Sequence, residues 1–167
     1  RAAEEDLEKI MEAVAGADVV FLTAGMGGGT GTGALPVIAR ALKDNDILTI
    51  AVVTKPFIFE GKRRMKIANE AIESIASNVD TLIVLPNQKL IDVVDQKMSL
   101  VGAFNMINNV LNQFVRSISD IITHPGHINV DFADVKTIMK NQGYAVIGSA
   151  KVSGEGRAVK AAQLALS

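Results

Sequence analysis

Three short runs, VVFLTA at 19–24, ILTIAVVT at 47–54 and TLIVL at 81–85, are almost wholly apolar and constrain this chain more than any other feature. Alternation would mark a strand with one wet face, whereas a continuous short apolar run marks a strand buried on both. Segments with helical periodicity separate these runs, at 34–42 and 62–77. An earlier one at 4–14 sets Leu7, Ile10, Met11 and Val14 on one face and stops at Gly16. Doubly buried strands alternating with helices predict an α/β fold, a doubly wound parallel sheet. The helix over 34–42 would hold Pro36 in its first turn, where the missing N–H has no helical acceptor to lose.

Over 99–123, Leu100, Phe104, Ile107, Leu111, Phe114, Ile118 and Ile121 recur at steps of three or four and predict one long core helix. A coiled coil is the competing reading, disfavoured by fewer than about four heptads and by flanking asparagines instead of charges. NVDFAD at 129–134 opens a further helix that stops at Gly143, 144–152 reads as a strand, and Gly154 and Gly156 lead into a final helix. A length of 167 residues suits one globular domain and is short for two. The net charge of -1 offers no basic field for nucleic acid, so any anion is bound locally. The absence of cysteine removes disulfides and thiolate metal sites and suits a cytoplasmic protein. No apolar run approaches the roughly 18 residues of a membrane span, and the acidic start at Glu4, Glu5 and Asp6 is unlike a signal peptide. Direct membrane insertion is therefore not expected. His124 and His127 flank a Pro-Gly turn without a third ligand and read as loop residues, leaving no metal site.

GMGGGTGTG at 25–33 follows the first apolar run and precedes a helix. Glycine is costly to order and adds nothing to a core, so something must approach this backbone closely. Between a buried strand and a helix start, such a turn presents unpaired N–H groups at the positive end of the helix dipole, an arrangement that binds phosphate. A tight structural turn is the alternative, but it needs one or two glycines and here there are six. The segment matches neither the P-loop pattern nor the dinucleotide fingerprint, which argues against a dehydrogenase-like dinucleotide binder.

The wording GGGTGTG at 27–33 resembles the signature loop of the tubulin/FtsZ superfamily of GTPases, in particular its bacterial cell-division branch. The similarity continues through VTKPF at 53–57, FEG at 59–61, Arg64-Met65 and NVDFAD at 129–134, in the family's order. It implies a Rossmann-like GTPase domain, apparently truncated at both ends, since the family places a second phosphate-contacting loop before this region and a further domain after it. On that pattern 1–96 is the central part of the GTP-binding domain, 97–123 the core helix, and 124–167 the catalytic loop, helix, strand and final helix. A piece lacking the earlier loop would bind GTP weakly.

The resemblance also implies roles for particular residues. Gly28, Gly29, Thr30 and Gly31 would hold phosphates, Glu60 the ribose and Arg64 the sugar-phosphate region, while Thr54 and Asn87, just past strand ends, would line the same pocket. Phe104 and Asn108, one helical turn apart, would hold guanine. Many relatives carry aspartate at the latter position, and asparagine keeps the acceptor without its charge. From the residues alone, Phe104 reads better as a core residue and Asn108 as an exposed helix polar, and Glu60–Arg64 as an ordinary i,i+4 ion pair of the kind that usually decorates a surface. On sequence alone Asp131 could equally be a helix cap, but the resemblance implies that Asp131 and Asp134 enter the nucleotide site of a neighbouring copy and polarise the attacking water, with Asn129 orienting the loop or the water. The implied ligands are GTP or GDP with Mg²⁺. The implied partners are further copies in head-to-tail filaments and membrane-tethering division proteins at the division site. A scaffold that binds partners without turnover is the rival outside enzymes.

Overall fold

The structure, a computed structural model, describes residues 2–92, 99–123, 131–146, 148 and 150–166. Four parallel strands, β1 (Val19–Gly25), β2 (Leu48–Lys55), β3 (Thr81–Pro86) and β4 (Gly143–Ala145), lie side by side in chain order. The register sets Gly25 opposite Thr54, Thr54 opposite Leu85, and Thr81 opposite Gly143. β2 is buried from Leu48 to Thr54 because helices cover both faces. Its side chains alternate between two cores, as the strand period requires. Ala51 and Val53 meet α3 (Thr30–Asp44) and α4 (Lys62–Ala76) through Leu35, Ala39, Leu42, Ala68, Ile72 and Ile75. Ile50 and Val52 meet Leu111 and Ile118 of α6 (Leu100–Thr123) and Met139 of α7 (Phe132–Met139). The doubly wound parallel sheet expected from the apolar runs is present.

α6, at 1.5 Å per residue, is about 36 Å long and runs the full depth of the sheet. Its first turns pack Ala103 and Ile107 on Phe57, just past the end of β2, while Ile118 reaches Ile50 near the start of β2. The helix therefore runs opposite to the strands. It carries the chain from their carboxyl ends to their amino ends.

Some boundaries differ from expectation. The helix predicted at 4–14 is split by Asp6 into α1 (Ala2–Glu5) and α2 (Leu7–Ala13), with Asp6 paired to Lys9 at 2.7 Å. α3 starts at Thr30, four residues before its apolar periodicity begins, since its first turn is glycine and threonine. Pro36 consequently lies inside the helix, and the carbonyl of Thr32 loses its i+4 donor. α7 ends at Met139; Lys140 is extended, Asn141 has φ of 57° and Gly143 φ of 71°. The strand expected over 144–152 shrinks to Gly143–Ala145, and Val146 beyond it is fully exposed. Among the described residues the chain there pairs only where it lies against Thr81–Ile83, while Ile147 and Ser149 of the expected strand lie outside them. The final helix, α8 (Arg157–Leu166), follows Gly154 and Gly156, both at positive φ. Two elements had no sequence signal: a 3-10 turn at Ile58–Glu60 and α5 (Asn87–Asp92). Among the described residues, no helix is long and apolar enough to cross a membrane.

Candidate functional site

The glycine stretch divides by function once packing is considered. Met26 is buried, and its N–H donates to the Thr54 carbonyl at 3.0 Å, fastening the loop to β2. Gly27 has φ of 94°, and a Cβ there would lie 2.7 Å from the Arg64 carbonyl oxygen. Its N–H donates to the Thr32 hydroxyl at 2.9 Å. A Cβ on Gly31 would lie 2.8 Å from that of Ala24 and 2.9 Å from the Gly25 carbonyl. Those two glycines are demanded by the fold. Gly29 and Gly33 are not, because a Cβ on either meets nothing within 4 Å, and on Gly28 it meets only the Arg64 guanidinium at 3.7 Å. Gly29 is the N-cap of α3 and has no side chain with which to cap it. The N–H groups of Thr30, Gly31 and Thr32 thus open α3 without helical acceptors, at the positive end of its dipole and near a guanidinium. Thr30 is exposed there, whereas the Thr32 hydroxyl is used inside the loop.

Beside the loop, at the carboxyl ends of β1, β2 and β3, lies a cleft of about 170 Å³. It brings together Thr54, Glu60, Arg64, Asn87, Phe104 and Asn108, six residues spread over positions 54–108. Asn87 is buried, and its Oδ1 has no hydrogen-bond partner among the described residues. An unpaired buried acceptor costs about 1–3 kcal/mol, which a ligand N–H would relieve. Glu60 is committed on both oxygens: Oε1 accepts from the Phe57 N–H at 2.8 Å and Oε2 pairs with Arg64 at 3.1 Å. The Glu60 side chain is only 12 % exposed and that of Arg64 50 %, so this i,i+4 pair is part of the cleft wall and not surface decoration. Phe104 is neither core nor free: it is 40 % exposed, and its ring meets Phe57 edge-on at 5.3 Å. One turn later Asn108 is exposed on the same helix. An aromatic face, an amide and a buried acceptor form a place for a flat, hydrogen-bonding ring.

Phe57 has a positional role that periodicity did not reveal. It is fully buried, stacks on Phe59 at 4.9 Å, and packs Ala103 and Ile107, which sets the start of α6 against the end of β2. Its only signal was an aromatic directly after Pro56 at a strand end. A larger groove, about 380 Å³, lies between α1, α3 and α4, lined by exposed groups such as Glu4, Arg40 and Asp44. It contains no orphaned buried atom among the described residues and no residue of the glycine loop lines it, so volume alone does not identify the site.

Asp131 and Asp134 are not brought into this cleft. Asp131 caps α7, accepting from the Ala133 N–H at 3.4 Å, and both acids are exposed. The far end of α7 is tied to the amino ends of the strands: the Thr81 hydroxyl donates to the Met139 carbonyl at 2.7 Å, and Lys140 pairs with Asp46 at 2.8 Å. The Lys140 ammonium holds the Asp46 carboxyl below its ordinary range, and Asp46 in turn raises Lys140. Asn129, His124 and His127 lie outside the described residues. Among the described residues no cluster of histidine and carboxylate could hold a metal ion.

The family model for the GTPase domain of the tubulin/FtsZ family matches residues 1–95. The chain belongs to the tubulin/FtsZ family. The cell division protein FtsZ of Coxiella burnetii is 54% identical over 99% of this chain, and that of Buchnera aphidicola subsp. Schizaphis graminum 53% over 99%. The chain spans 43% of the length of each. Among solved structures, an FtsZ dimer from M. jannaschii superposes with a TM-score of 0.93 at 48% identity, covering 99% of this chain and 48% of that one. A CetZ2 protofilament from Haloferax volcanii gives 0.73 at 26%, covering 90% of this chain and 45% of that one. The parallel sheet and its long helix are therefore those of this GTPase-domain family.

Proposed function

We propose that this chain is the nucleotide-binding part of a cell-division GTPase that joins head to tail with further copies of itself and hydrolyses GTP at the junction. Guanine rests on Phe104 beside Asn108 and Asn87, the ribose lies toward Glu60, Arg64 faces the sugar-phosphate region, and Gly28 to Gly31 receive the phosphates. Residues 1–96 form the nucleotide-binding part, 97–123 the connecting helix, and 124–167 the catalytic loop with the helix, strand and final helix beyond it. Mg²⁺ would be held by phosphate oxygens and water, a coordination that needs few protein ligands, and would neutralise phosphate charge.

The observation that carries this reading is the polarity of the molecule. The cleft lies at the carboxyl ends of the strands, while α7, with Asp131 and Asp134, is fastened to their amino ends. Acids that do not line their own cleft can serve the cleft of the next copy, and the solved relatives include a dimer and a protofilament. There Asp131 and Asp134 would hold the attacking water and accept its proton as its oxygen bonds to the terminal phosphorus, with Asn129 orienting the loop or the water. The bond from that phosphorus to the bridging oxygen would break as GDP leaves. The same reading places the protein in the cytoplasm at the division site, held to the membrane by tethering proteins. In a full-length chain, Asp134→Ala retains GTP affinity and assembly but loses roughly 10²–10⁴-fold in turnover, the scale of a positioned proton-transfer group. Unchanged turnover in a phosphate-release assay overturns it.

A further inference from the structure

Asp80, the residue before β3, binds the chain at both ends of its side chain. Oδ2 accepts from the Thr49 N–H at 2.9 Å and Oδ1 from the Asn141 N–H at 3.2 Å. Its carbonyl accepts from the N–H groups of Gln142 and Gly143 at 2.8 and 3.0 Å, and its own N–H donates to the Thr49 carbonyl at 3.0 Å. Three of these five bonds hold the turn through which α7 leaves for β4. That turn depends on two residues at positive φ, Asn141 and Gly143. With the bond from Thr81 to Met139, the carboxyl-terminal end of α7 is pinned to the sheet. Its other end carries Asp131 and Asp134, exposed and, in α7 itself, supported by one buried residue, Val135.

We infer that Asp80 is a positioning residue for hydrolysis: it fixes the axis of α7 and thereby the place of the acids that reach the neighbouring nucleotide. This rests on the function proposed above. An eight-residue helix is about 12 Å long, so a tilt of about 10° at its pinned end displaces its first residue by about 2 Å. Misplacement by about 1 Å costs on the order of 10²-fold in rate. Neither binding of GTP nor the cleft at the opposite end of the strands depends on this contact.

The test uses a full-length chain at a temperature where circular dichroism shows every variant folded. Asp80→Asn keeps the shape but replaces one of two acceptors with a donor that opposes a backbone N–H. It is expected to lower kcat roughly 10–100-fold with KM for GTP and filament mass unchanged. Thr81→Val, which removes only the hydroxyl bond to Met139, lowers kcat less, and it decides the matter alone if Asp80→Asn does not fold. Unchanged kcat in the folded variants, or a loss of kcat accompanied by weakened GTP binding, overturns the inference. Asp134→Ala run in parallel separates the two levels. If that variant keeps full turnover the proposed function fails, and if it loses turnover while Asp80→Asn does not, only the positioning role fails.

Discussion

Gly31 and Gly33 lie two positions apart in the first turns of one helix, yet a methyl group has opposite consequences at each. At Gly31 it would press on the Cβ of Ala24 and the carbonyl of Gly25, both under 3.0 Å, so α3 must move off β1. At Gly33 it meets open space in a helical backbone. Gly31→Ala is expected to destabilise by about 1–3 kcal/mol, as overpacking does. Gly33→Ala is expected to stabilise by about 0.5–1 kcal/mol through helix propensity. Urea unfolding of the pair checks both signs, and equal shifts would refute the division of the loop into packed and open glycines. Under the proposed function Asn108 presents the complementary case, a residue whose value would appear only with ligand. Exposed on α6, it contributes little to the fold, but Asn108→Leu is expected to weaken GTP binding by roughly 1–3 kcal/mol, because a base edge loses its partner. Calorimetry showing undiminished affinity removes Asn108 from the site.

Elements were readable where one physical cause shaped many residues. β2 is mostly apolar and buried from Leu48 to Thr54 because two layers of helix cover it, and α6 is periodic because one face lies on the sheet. The family resemblance assigns Thr54, near the end of β2, and Asn87, just after β3, to the pocket, and the parallel direction of the strands agrees with it. The first turn of α3 was not readable as helix, because Gly29 to Gly33 has no apolar residue to reveal a period. The Asp80 clamp was invisible for another reason: its partners are backbone N–H groups, which every residue but proline possesses. Between α3 and α7 the exposed pair Asp46–Lys140 makes a contact across 94 positions that no local pattern announces. Its contribution has a definite pH dependence. Because Asp46 is lowered from 3.8 in the folded protein, its share is present above that value and is lost as pH falls below it. Because Lys140 is raised from 10.5, its share is present below that value and is lost as pH rises beyond it. Lys140→Met should therefore differ from the parent protein at neutral pH and converge with it in acid. A stability gap that persists in acid strong enough to protonate Asp46 in the folded protein would show that the lysine acts through packing of its stem instead.

At the scale of the whole molecule, one direction organises everything: parallel strands send all their carboxyl ends to one pole, and α6 returns the chain to the other. The cleft with its orphaned Asn87 oxygen belongs to the first pole and the acids of α7 to the second. If, as proposed, the active site is divided in this way, turnover requires assembly, as in no single-copy enzyme. Take two full-length variants, Gly29→Val, which fills the open side of the phosphate loop, and Asp134→Ala, which removes an acid. The first cannot bind nucleotide but still offers intact acids; the second binds GTP but presents a defective acid to its neighbour. Each alone should be nearly inactive. Mixed at concentrations that permit filaments, they form junctions in which the intact loop of Asp134→Ala meets the intact acids of Gly29→Val, and turnover should return. With random incorporation in equal amounts, about one junction in four has that pairing in the productive direction, so recovery is expected to approach a quarter of the parent rate, the parent's loss per acid being roughly 10²–10⁴-fold. If mixed filaments are seen by light scattering and electron microscopy while phosphate release stays at the level of the separate variants, the active site is not shared between copies.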